Sequence, residues 1–226
     1  MSPSPAQDPS TTPVARRAAT PIAGAIAGML FAVLFSAAVV IMMTAMTEIA
    51  NDTGDWLETG AQSLRVALTI IPFAGLFFLW FIAVARERLG RFEDQFFSTV
   101  FLGSGLLFLA LVFAAAASAG ALVASYAKDP AGFAGSGIYY YSRMTVSQLF
   151  SIYALRMAAV FMLSQASLWL RTGVMPRWMA LLTIVIAVVL LFAVSQSLWI
   201  VLVFPGWVFM VSAYILVTHL GATHEA

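Results

Sequence analysis

Apolar positions run in long, nearly unbroken stretches along this chain, and polar positions gather between them. The first stretch, 21–46, carries no charged residue; the second, 64–85, contains Pro72. The third is placed at 96–120, with an alanine-rich continuation to about 126. The fourth, 146–170, holds Arg156, and the fifth and sixth are 178–194 and 198–219. Apolarity all round a helix, rather than on one stripe, is what a lipid surrounding permits. About 20 helical residues cross a hydrocarbon core of ~30 Å. The pattern therefore predicts an all-α polytopic bundle of six transmembrane helices.

The last two stretches touch, and a single helix over 178–219 would reach about 63 Å, twice the membrane. A turn at Pro205-Gly206 leaves too short a final helix. A turn at Ser195-Gln196-Ser197 leaves two usable spans, and Pro205 is then read as a kink, which membrane helices tolerate. Residues 1–20, rich in Pro, Ser and Thr, are expected to be a disordered cytoplasmic tail, 21–219 the transmembrane domain and 220–226 a second cytoplasmic tail. The first apolar run is longer than the about 7–15 residues of a cleaved signal, so it is read as a retained helix.

Composition agrees with lipid as the main solvent. Of 226 residues, 62% are hydrophobic and 9% charged, against about 25% charged in soluble domains. A net charge of +1 offers no basic excess for nucleic acid, so none is expected as a partner. Ten arginines against one lysine, with abundant alanine, is the bias of a GC-rich bacterial genome. Arg16, Arg17, Arg86, Arg88, Arg91, Arg171 and Arg177 fall on the side of the termini, and Arg65, Lys128 and Arg143 on the other. The excess of basic loops marks the cytoplasmic side. The expectation is a multi-pass protein of a bacterial plasma membrane, with both termini cytoplasmic.

Candidate chemistry is sparse. Cysteine is absent, and the two histidines, His219 and His224, lie at the C-terminal end. No carboxylate pair sits within a span, and no HExxH, GxSxG or phosphate loop occurs, so no catalytic residue, cofactor or metal is assigned. Arg156 is the one charge well inside an apolar run. A charge at the bilayer centre costs roughly 2.5 to over 10 kcal/mol and by default marks a site with a partner. At about 100° per residue, Thr145, Tyr153, Arg156, Ser164 and Ser167 share a side, and Arg156, Tyr153, Ser164 and Ser167 form the candidate polar site. Two readings stand. If hydrocarbon covers only 152–171, Arg156 lies one turn below the outer surface and snorkels to headgroups, between belts at Tyr153 and Trp169. Otherwise it binds an anionic group.

Three further stretches have simple structural readings. Gly24 and Gly28 make a GxxxG that lets helix backbones approach, within the chain or between copies. The loop 85–97, with Arg86, Glu87, Arg88, Arg91, Glu93 and Asp94, is an ion-paired connection or a docking surface. The segment 129–141 is expected to be a flexible outer loop ending in Tyr139, Tyr140 and Tyr141 at headgroup level.

The stretches "RMAAVFMLS", "LRTGVMPRW" and "LVFPGWVFMVSAYIL" resemble a group of six-span membrane proteins of actinobacteria. The resemblance covers the last third of the chain and implies a helical bundle in a bacterial plasma membrane, with no activity attached. The functional expectation is a non-enzymatic accessory or structural membrane component, with the lipid bilayer and other membrane proteins as partners. The alternative is a small permease that uses Arg156 to bind an anionic group, helped by kinks at Pro72 and Pro205.

Overall fold

The computed structural model describes residues 13–46, 56–89, 95–133, 136–192 and 198–224. Among them every regular element is helical. The elements are α1 (Pro13–Met46), α2 (Trp56–Leu89), α3 (Gln95–Lys128), the single turn α4 (Pro130–Phe133), α5 (Gly137–Gln148), a π segment (Leu149–Ala154), α6 (Leu155–Thr172), α7 (Arg177–Phe192), a 3₁₀ segment (Leu198–Leu202) and α8 (Val203–His224). Because α5, the π segment and α6 follow one another without a break, the molecule is a bundle of six rods. Five are long and apolar enough to cross a membrane; α7, with 16 residues, is the shorter sixth.

The axis of the bundle is filled by phenylalanine. Phe31 and Phe35 of α1, Phe78 of α2, Phe108 of α3, Phe161 of α6 and Phe204 of α8 are all buried and touch ring to ring. Phe31 lies 4.6 Å from Phe78, Phe108 4.7 Å from Phe204, and Phe101 stacks on Phe161 at 4.5 Å, centroid to centroid. Lipid tails are as apolar as these rings, so burial from water does not hold the rods together. Close packing and aromatic geometry do, the latter contributing roughly 0.5–1.5 kcal/mol per pair in soluble proteins.

Small residues let the rods approach. The α carbon of Gly24 faces Val84 of α2, and that of Gly28 faces Ser212 of α8 and the Phe81 ring. The GxxxG of α1 is thus filled by helices of the same chain. Between α7 and α8, the Trp207 indole N–H donates to the Thr183 hydroxyl at 2.9 Å, both residues buried. α6 ends on Gly173, whose φ of 65° lets its N–H return to the Trp169 carbonyl at 2.9 Å.

The rods are longer than the sequence pattern predicts. α1 starts at Pro13, inside the expected tail, since proline suits the first turn of a helix. α2 runs several residues past both expected boundaries and α3 several past its second, because polar residues outside hydrocarbon can continue a helix. The expected loop 129–141 is largely helical: the Ser136 hydroxyl accepts from the Tyr139 N–H and starts α5. Tyr139 is fully buried, edge-on to Phe133, while Tyr140 and Tyr141 are exposed. Pro205 lies in the first turn of α8, following the 3₁₀ segment, where it removes no hydrogen bond of a helix interior. The expected turn at 195–197 and residues 90–94 of the expected loop 85–97 lie outside the described residues, while 85–89 continue α2 and 95–97 begin α3.

Introducing a side chain at Gly28 tests the packing. Gly28→Val should destabilise the detergent-solubilised protein by about 1–3 kcal/mol through overpacking, seen as a lower thermal midpoint. Gly103→Ala, with nothing within 4 Å of the added carbon, should leave the midpoint unchanged.

Candidate functional site

Arg156 is the second residue beyond the π segment, and its depth follows from the rings. Phe78 lies 5.5 Å from Phe161 and 4.6 Å from Phe31, so these three form one layer. Phe35 and Phe150, 6.5 Å apart, form another. Along α1, whose apolar span is Ile22–Ala45, Phe31 lies about 13 Å past one end and Phe35 about 15 Å before the other. Both layers therefore belong to the middle of the bundle. Arg156 stands between positions 150 and 161 and so lies between the two layers. The rod continues outward from Arg156 to Gly137.

The direction of Arg156 follows from burial along its helix. Leu149, Ile152, Tyr153, Arg156, Val160, Leu163, Ser167 and Leu170 are half-buried or exposed, while most positions between them are buried. Arg156 sits at the centre of this outward stripe. Among the described residues it has no hydrogen-bond or ion-pair partner. None of the apolar spans contains an aspartate or glutamate.

The other members of the expected polar site are placed differently. Tyr153, 55% exposed, shares the stripe with Arg156. Ser167 lies on the stripe too, but its hydroxyl donates to the Leu163 carbonyl at 2.8 Å. Ser164 turns inward, is buried, and donates to the Val160 carbonyl at 2.9 Å. Both hydroxyls thus serve their own helix rather than the guanidinium. The Thr145 hydroxyl likewise donates to Tyr141 of its own helix. A π turn holds about one residue more than an α turn, so residues before Leu149 are rotated by roughly 100° from a uniform spacing.

The π segment itself buries Phe150, Ser151 and Ala154, where it packs against α3. The Ser151 hydroxyl is sealed there without a partner. Sequence reasoning sees no signal for this segment, since no residue type marks a π turn.

A second polar side chain is hidden at the opposite end of α6. Gln165 is 5% exposed, and its carboxamide oxygen is buried without a hydrogen-bond partner. It lines a cavity of about 40 Å³ together with Gly24, Phe81, Val84, Trp169 and Met175. These residues come from the start of α1, the end of α2, the end of α6 and the α6–α7 loop, and Ile215 adds the end of α8. The same convergence shows that α1 begins and α8 ends at one end of the bundle. In the sequence Gln165 differs from its apolar neighbours, but it lies off the arginine face, and only the fold brings the other walls to it.

No family model matches the chain, and neither a curated protein nor a solved structure matches it.

The π turn predicts an unusual tolerance. Deleting Ser151 should return the segment to α-helix and remove a buried unpaired hydroxyl. The variant is expected to stay monodisperse on size-exclusion chromatography, with a thermal midpoint within a few degrees of the parent. Deleting Ala158, inside regular α6, should rotate half the rod out of register and abolish the folded peak.

Proposed function

We propose that this chain is a non-enzymatic accessory subunit of a membrane complex, and that Arg156 pairs with a carboxylate on a transmembrane helix of a different protein. The observation that carries the reading is Arg156 itself: mid-depth, on the outward stripe of α6, and without a partner among the described residues. A lone charge at that depth is costly, and a buried ion pair is the arrangement in which membrane arginines are found. A second copy of this chain cannot supply the carboxylate from a span, because no apolar span contains one. The partner is therefore a different protein.

The location belongs to the same proposal. The arginine-rich loops support a bacterial plasma membrane with both termini cytoplasmic, and the three stretches of the last third support kinship with the six-span actinobacterial group. A permease that binds an anion at Arg156 is the weaker reading, because six phenylalanines occupy the axis a polar path would need.

Affinity purification from native membranes in mild detergent tests the pairing. The wild-type chain should retain a membrane protein with an acidic residue inside a span. Arg156→Leu should retain at least tenfold less, and Arg156→Lys an intermediate amount. Recovery of the chain alone, or equal recovery with all three, would refute it. Since the chain has no cysteine, single cysteines report topology without background. Ser10→Cys and Thr223→Cys should resist an impermeant maleimide on intact cells, and Thr53→Cys should react.

A further inference from the structure

The cavity beside Gln165 has a definite depth and chemistry. Gly24 lies two residues inside the apolar span of α1, Val84 two residues inside that of α2, and Ile215 three inside that of α8. The cavity therefore sits just under one membrane surface, at the level of lipid glycerol and ester groups. Phe81, Val84, Trp169, Met175 and Ile215 make its walls apolar. Val174, 46% exposed, places the mouth beside the α6–α7 loop.

One polar group interrupts these walls. Gln165 is nineteen-twentieths buried, and its oxygen has no donor. An unmade hydrogen bond of this kind destabilises the fold until a partner supplies it. The terminal torsion of glutamine is broad and two-fold, so a half-turn of the amide exchanges its oxygen and its NH₂ at the cavity. A hydroxyl is the group that satisfies both cases, since it donates and accepts. The volume, about 40 Å³, holds roughly three water-sized groups. That suits a single hydroxymethyl end of a headgroup and excludes an acyl chain.

We propose that this cavity binds the hydroxymethyl end of a hydroxyl-bearing lipid, whose hydroxyl hydrogen-bonds the Gln165 carboxamide while the rest of the headgroup and its hydrocarbon lie outside the mouth, in the bilayer. The site is independent of the pairing at Arg156, which lies in the middle of the membrane on the outward face of the same rod.

Thermal unfolding of the detergent-purified full chain tests this with two defined amphiphiles of the same acyl chain. Monooleoylglycerol carries free hydroxyls, and methyl oleate carries none. Monooleoylglycerol should raise the unfolding midpoint by several degrees in a saturable way, and methyl oleate should not. Phosphatidylglycerol, whose headgroup also bears hydroxyls, forms a second arm: a matching shift names a phospholipid as the source, and its absence a neutral glyceride. Gln165→Leu should abolish the monooleoylglycerol shift without lowering the lipid-free midpoint, since it removes an unpaired buried amide. Val174→Trp, at an exposed position, should abolish the shift by closing the mouth, which keeps the test decisive if Gln165→Leu misfolds. Equal shifts with methyl oleate, no shift with any lipid, or a full shift in both variants would overturn the site.

Discussion

Six apolar rods in lipid gain nothing from hiding from water, so what holds this molecule together is shape. The phenylalanine layers from five rods interlock along the axis, and the small residues of α1 let α2 and α8 come close enough to reach them. Everything else is arranged around that dry axis. Serine and threonine hydroxyls fold back onto carbonyls one turn earlier, as Ser104, Ser118 and Thr172 do, so that their polarity is spent within a single helix. The Trp207–Thr183 bond is a case where two rods share a polar contact.

Beside the unpaired Ser151 and Ser212 hydroxyls, two longer side chains stand out against that background because the packing leaves them unanswered. Arg156 faces outward in the middle of the membrane, and Gln165 faces inward near one surface. They lie on the same rod but on different faces, and the two proposals answer them with different chemistry: a counter-charge from another helix for the one, a small hydroxylated group for the other. A structure made only to fill space would carry neither.

The rods and their number are legible in the sequence, because a run of 20 apolar residues has one stable form in lipid. Their ends are less so. Once a helix leaves hydrocarbon, water satisfies its backbone as readily as a loop would, and nothing in "PSTTPVARRAAT" or "GIYYYSR" states where the turns stop. The helical face of Arg156 is legible only as far as the regular α6 reaches. The extra residue of the π turn spoils the projection upstream, and the inward turn of Ser164 depends on which neighbours α3 and α7 supply. Gln165 acquires its meaning from Gly24, Phe81 and Val84, which are far away along the chain and meet it only in the folded bundle.

The brevity of α7 has an elastic consequence. Its 16 described residues give about 24 Å of rod where the hydrocarbon is ~30 Å thick. A bilayer meets such a mismatch by thinning, at fractions of a kcal/mol for each ångström. The dimple falls beside α6, against which α7 packs. Leaflet deformation there would draw short-tailed lipids, or a similarly short neighbouring helix, to that side of the molecule in preference to any other.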